Sequence, residues 1–218
     1  KYIEITNPNN LFVTVNGSIY TKDMTTLVKC PQGMKGELII PEGVKFINEQ
    51  ACYRCEISSV VFPDSLEDIG MRAFAECRKL ENISFGKGIK KIGGLEDLKI
   101  FDNCASLKSV EIPPQVKIIG NGVFQYSGLR NVVLHEGLEE IYCGAFASTL
   151  ITEIHFPNSL RIIGDYNFPN VDDIYFNQPI KNLINAVGAR SRISNSVYDD
   201  KVRTIALHIK DSVAYIPR

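Results

Sequence analysis

The sequence predicts a β-rich α/β fold built as a solenoid of about seven to nine stacked coils. Three observations predict it. An apolar–x–apolar triplet opens at Leu38, Val60, Ile83, Val110, Val132, Ile154 and Ile174. The steps between these starts are 22, 23, 27, 22, 22 and 20 residues. Behind each start, apolar residues recur at matching distances, so they form columns rather than isolated hits.

Four columns carry the argument. Six residues after each start stand Val44, Leu66, Ile89, Val116, Leu138, Leu160 and Ile180. Ile47, Ile69, Ile92, Ile119, Ile141, Ile163 and Leu183 follow. An aromatic column holds Phe74, Phe101, Phe124, Phe146 and Phe168, with Cys52 at its head. Ile57, Leu80, Leu107, Leu129, Ile151 and Val171 precede the later starts. A period of 20–29 residues with this spacing marks a solenoid of the leucine-rich repeat type.

The coil from Val60 explains each element in turn. Alternation in Val60-Val61-Phe62 places residues 60 and 62 on one face and 61 on the other, as in a short strand. Pro63 closes the strand, because it cannot donate to a ladder. Asp64 and Ser65 make a turn. Leu66 and Ile69 point inward, Gly70 permits a bend, and Phe74 fills the far side. Alone, the coil leaves an apolar strip in water. Stacked, each buried Ile, Leu or Phe contributes roughly 1.5–3 kcal/mol.

The ends depart from the period. Ile3-Glu4-Ile5 reads as one more ladder strand. Phe12 to Tyr20 reads as a hairpin about the Asn16-Gly17 turn, and Thr26 to Cys30 as a third strand. Leu207, Ile209, Val213 and Ile216 restore the 0, +2, +6, +9 spacing of a coil after a detour over 181–203. One domain is expected over 1–218: an N-terminal strand and hairpin (1–37), regular repeats (38–180) and an irregular terminal repeat or cap (181–218). The 27-residue step comes from an insertion, Gly94 to Ile100, expected to bulge from one face. Such insertions can mark a binding side or be tolerated loops.

Composition narrows the partners. The chain has 218 residues, 24 basic and 25 acidic, with a formal net charge of −1. That balance favours neither nucleic acid nor an anionic membrane surface. No apolar run approaches the roughly 18–20 residues of a membrane-spanning helix. The first residue is Lys, and the chain reads as an excised or processed piece.

The columns from Phe62 to Leu80 (Pro63, Leu66, Ile69-Gly70, Ala73-Phe74, Cys77, Leu80) resemble the BspA-like, Treponema pallidum-type leucine-rich repeat. The resemblance covers residues 36–180 closely. Asn16 to Gly36 also resembles a hairpin preceding such repeats in Bacteroides-type surface proteins, and the tail around Ile193–Val213 resembles their closing repeat. Tyr142 in a glycine slot, Cys52 in the aromatic slot, and Ser127 and Thr149 in the cysteine slot depart from the pattern. The resemblance implies an exported or cell-surface protein, adhesion or protein binding, and no catalytic residues.

Candidate chemistry fits the repeat better than a reactive site. Cys55, Cys77 and Cys104 share one slot and read as a buried thiol column; a disulfide between stacked coils stays open, because the ladder spacing of about 4.8 Å suits it. The Cys52-x-x-Cys55 spacing also admits a metal reading. Cys30 and Cys143 lie off the column and read as surface thiols. His135, His155 and His208 lack a second ligand at metal spacing. Glu139-Glu140, Asp172-Asp173 and Asp199-Asp200 read as solvated turns rather than a catalytic carboxylate pair. Asn16 and Asn82 match the N-glycosylation acceptor pattern. No cofactor, metal or catalytic residue is expected.

The candidate ligand-binding residues are the outward positions of the ladder: Ile39, Val61, Ser84, Glu111, Val133, His155 and Tyr175. Glu37, Ser59, Asn82, Ser109, Asn131, Glu153 and Asp173 form a parallel outward column. Exposed apolar stripes can mark an interaction surface, although β-branched residues also simply suit strands. Three readings follow. One is a non-enzymatic adhesion module at the cell surface that recognises protein or glycan. The second is a spacer that projects another domain, and the third an enzyme with its site in the insertion or terminal detours.

Overall fold

The computed structural model describes residues 11–164, 166–168 and 170, with the backbone of three further strands in the C-terminal part. The chain forms a β-solenoid in which each coil contributes one longer and one two-residue strand. The longer strands are β4 (Lys35–Ile39), β6 (Glu56–Val61), β8 (Asn82–Ser84), β10 (Ser109–Glu111), β12 (Asn131–Val133), β14 (Glu153–Phe156) and β16 (Asp173–Phe176). The short ones are β5 (Phe46–Ile47), β7 (Asp68–Ile69), β9 (Lys91–Ile92), β11 (Ile118–Ile119), β13 (Glu140–Ile141) and β15 (Ile162–Ile163).

All pairing between coils is parallel and in register with the period. Leu38 pairs with Val60 and Val60 with Ile83. Val110 pairs with Val132, and Ile154 with Ile174. On the second ladder Ile92, Ile119, Ile141 and Ile163 align in sequence order. The inward columns are buried as the spacing predicts. Val44, Leu66, Ile89 and Val116 are fully enclosed, and Leu138 and Leu160 nearly so.

Six coils carry described side chains, fewer than the seven to nine expected, because the rest of the chain lies outside the described residues. No helix occurs among the described residues. The reason lies in the turns that return each coil. Arg54, Arg72, Glu76, Asn103, Tyr126 and Ser148 all adopt positive φ, between 53° and 59°. A left-handed residue every few positions breaks a right-handed helix. Gly70 also needs a different explanation from the expected bend. A Cβ there would lie 2.6 Å from the backbone nitrogen of Glu49 in the preceding coil. Gly70 is glycine because two coils touch there through backbone.

Side chains lock neighbouring coils together. Glu42 accepts the backbone N–H groups of Asp64 and Ser65 at 3.1 and 2.9 Å. Ser65 Oγ accepts the Gly43 N–H and donates to the Val44 carbonyl. Ninety-four residues along the stack the pattern returns, with Glu136 accepting from Asn158 and Ser159. The aromatic column forms a continuous spine. Phe74, Phe101, Phe124, Phe146 and Phe168 stack at centroid spacings of 5.4–5.5 Å. That spacing is the offset-stacked range for aromatic pairs.

The N-terminal hairpin is present. Strands β1 (Phe12–Val15) and β2 (Ser18–Thr21) pair antiparallel about Asn16 and Gly17, both at positive φ. Strand β3 (Thr26–Lys29) pairs with β2 and then in parallel with β5, so the hairpin extends the short-strand ladder. The insertion bulges as expected, with Leu95 76% exposed. At the other end β17 (Ile205–Ile209) joins β16 in parallel through Ile174 and Leu207. Strand β18 (Ser212–Ile216) then runs antiparallel to β17. Val213 and Ile216 therefore sit in a returning strand, not at the +6 and +9 positions of a coil. Ile3–Ile5, the 181–203 detour, Ile180, Leu183 and Val171 lie outside the described residues.

Candidate functional site: the exposed ladder face

The long strands place the candidate residues on one face. Ile39, Val61 and Ser84 are successive in-register partners across β4, β6 and β8. Glu111 stands beside Val133 across β10 and β12. His155 pairs in backbone register with Tyr175 across β14 and β16; the Tyr175 side chain lies outside the described residues. Parallel pairing runs in three groups, which break between β8 and β10, where the insertion falls, and between β12 and β14.

Exposure separates these positions. Ile39 is 59% and Val133 40% exposed, whereas Val61 is half-buried. Ser84, Glu111 and His155 are exposed. Polar groups along the face pair with one another. His135 Nε2 lies 2.8 Å from Glu111 Oε1, and His155 Nε2 lies 2.6 Å from Glu153 Oε1. Ser59 donates to Glu37 at 3.5 Å. The surface is thus apolar at Ile39, Val61 and Val133, with hydrogen-bonded polar side chains around them.

Sequence reasoning missed a second cluster, on the turns beyond the aromatic spine. Three guanidinium groups surround one carboxylate. Arg54 Nε lies 2.9 Å from Glu76, and Arg72 and Arg78 each lie 3.7 Å from it. Tyr53 donates its hydroxyl to Glu76 at 2.7 Å, and Arg54 and Arg72 both pack against its ring. The Arg54 hydrogen bonds, then the Tyr53 one, hold the Glu76 carboxyl below its ordinary range. Beside it Glu56 joins Lys79 at 2.6 Å. The signal was present in the stagger of the charges: Arg54 and Glu76 lie 22 residues apart, one coil step.

Glu139 bonds Lys117 at 3.0 Å and also Arg161, while Glu140 accepts from Tyr142. Asp172, Asp199 and Asp200 lie outside the described residues, as do the side chains of Asp173 and His208. Cys55, Cys77 and Cys104 are buried, and each donates its thiol to a carbonyl of an earlier coil: Pro31, Cys52 and Phe74. Burial pushes Cys77 up to about 12 and Cys104 well above an ordinary thiol. Cys143 is exposed as expected. Cys30 is not; it is 1% exposed, because β3 packs it beneath the hairpin against the first coil.

The sequence profile of the BspA type leucine rich repeat region matches residues 35–95 and 97–213, in six copies. The chain belongs to the BspA-type leucine-rich repeat family. Its solenoid is similar to that of a leucine rich cell surface protein from Faecalibacterium prausnitzii, at 22% identity and TM-score 0.55, covering 89% of this chain and 57% of that one. It is also similar to the pneumococcal vaccine antigen PcpA, at 21% identity and TM-score 0.56, covering 93% and 51%. A leucine-rich repeat protein from Eubacterium ventriosum matches at 18% identity and TM-score 0.59, covering 90% and 56%. At these identities the likeness is one of fold. The BspA-type chain spans about half the length of each of these three structures. No curated protein matches it. Among the described residues no helix is long and apolar enough to cross a membrane.

Proposed function

We propose that this BspA-type solenoid is a non-enzymatic recognition module of a bacterial cell-surface or secreted protein. It binds a partner protein, or the glycan of one, along the long-strand ladder face. The observation that carries this reading is the exposure of Ile39 and Val133 in the same outward column, flanked by hydrogen-bonded polar groups. An apolar stripe with a polar rim is the composition of protein interfaces. A surface location is supported by the F. prausnitzii cell surface protein and the pneumococcal antigen of similar fold.

The test compares wild type with the double variant Ile39→Lys, Val133→Lys on an immobilised support, probed with host extracellular proteins and with a glycan array. Loss of a wild-type binder at unchanged melting temperature supports recognition. Retention of every binder by the double variant overturns the assignment of this face. A second reading, a rigid spacer projecting another domain, is favoured by Ser84 and Glu111, which interrupt the apolar stripe. It expects no binder for either form.

A further inference from the structure

The burial of Cys30 places it against a second thiol. Cys52 Sγ donates to Cys30 Sγ at 3.2 Å, and Ser18 Oγ lies 3.2 Å from Cys30 on its other side. The backbones are fixed at ladder distance by the bond from the Cys30 N–H to the Ala51 carbonyl, 2.8 Å. Adjacent strands lie about 4.8 Å apart, inside the Cα range of 4.4–6.8 Å that a disulfide spans. The column thiols are arranged differently, since Cys55, Cys77 and Cys104 aim at carbonyl oxygens. We propose that Cys30 and Cys52 are a cross-linking dithiol that closes to a disulfide and staples the N-terminal hairpin to the first regular coil.

The two sulfurs have distinct roles. The thiol hydrogen bond from Cys52 favours the thiolate of Cys30, whereas burial keeps Cys52 protonated. In the docked state Cys30 is thus the more readily ionised of the two sulfurs. With a low-molecular-weight disulfide such as oxidised glutathione, Cys30 loses its proton and its sulfur bonds one glutathione sulfur. The glutathione S–S bond breaks, and the departing thiolate takes up a proton. Cys52 then loses its proton and attacks Cys30 Sγ. The mixed disulfide breaks, the protein disulfide forms, and the second glutathione leaves as a thiol. Two protein thiols are oxidised by two electrons and one glutathione disulfide is reduced by two. Both sulfurs are buried, so the oxidant reaches Cys30 before the hairpin docks or when it lifts.

The experiment refolds the full chain from denaturant in oxidised and reduced glutathione, quenches in acid, unfolds and alkylates. Trypsin separates the candidates cleanly, because Arg54 lies between Cys52 and Cys55. The expected result is alkylation at four of the six cysteines and a linked pair of peptides, residues 30–35 with 46–54. A chain refolded in dithiothreitol alkylates at all six and melts at a lower temperature. Cys30→Ser abolishes the difference in melting temperature between the two treatments, while Cys104→Ser keeps it. Six alkylated cysteines after oxidative refolding overturn the proposal. So does a cross-link joining Cys52 to Cys55 or any other pair. The mapping uses the wild-type chain, so it decides even if a variant fails to fold.

Discussion

Phe101 and Phe124 lie face to face, with ring centroids 5.4 Å apart and planes inclined by 8°. Both are fully buried. Phe101 also stacks on Phe74, so it is an interior link of the spine. Phe101→Ala removes two stacking contacts and leaves a cavity that rigid neighbouring coils cannot close. It should cost about 3–5 kcal/mol. Denaturant titration with a single folded baseline checks the figure; a loss near zero would mean that the spine is not the core.

Close backbone approach makes a second prediction. A Cβ on Gly128 would sit 2.1 Å from the Ala105 carbonyl oxygen of the previous coil. Gly94 has open space around it. Gly128→Ala should destabilise by about 1–3 kcal/mol through overpacking, while Gly94→Ala should be nearly neutral. Comparable midpoints for the two variants would contradict the coil spacing.

The cysteine slot predicts a gain. Ser127 stands where Cys55, Cys77 and Cys104 stand in earlier coils, and its buried hydroxyl lacks a hydrogen-bond partner. Thr149, in the same slot one coil later, donates to the Phe146 carbonyl at 2.9 Å. An unsatisfied buried hydroxyl costs on the order of 1 kcal/mol or more. Ser127→Cys should therefore raise the unfolding midpoint by ~1 kcal/mol in stability, read under reducing conditions. A lower midpoint would show that the slot is filled by the smaller residue for a packing reason.

Glu76 makes the structure sensitive to acid. Its folded pKa is held below the ordinary 4.5 by Arg54 and Tyr53. A lowered carboxyl pKa contributes stability that is present above the unfolded value and lost as pH falls through the folded one. Melting temperature should therefore drop as pH falls below about 4.5. Glu76→Gln should melt lower than wild type at pH 7, with the two curves converging in acid. Half-buried Asp102, whose pKa is raised mainly by desolvation, contributes with the opposite sign. Subtracting the variant's curve isolates Glu76; parallel curves would refute its role.

Much of this was legible in the chain because the inward columns are apolar and periodic. Leu66, Ile69 and Phe74 occupy the places their spacing assigns, and Asn16-Gly17 makes its hairpin. Strand alternation likewise located Ile39, Ser84 and Val133 on one outer face. What escaped lay outside the apolar columns. Cys30 lies 22 residues before Cys52, one coil step, but β3 begins a coil with no ladder triplet of its own, so the columns were not extended back to it. The Arg54, Arg72 and Arg78 cluster escaped because its members occupy turn positions, which apolar columns do not report. Asn167 is a further case. Its side chain accepts the Phe146 N–H at 3.1 Å and donates to the Tyr142 and Gly164 carbonyls, replacing backbone groups with an amide.

The carboxylate clamps from Glu42 to Asp64 and Ser65, and from Glu136 to Asn158 and Ser159, each reach across a single 22-residue step. At these two junctions one unit thus carries a plug and the next the matching socket. Such a chain can lengthen by copying a unit in frame, since the duplicate mates with both its parent and the next in line. The coil enlarged by the insertion departs from that unit length, so a copy of it would add 27 residues rather than 22.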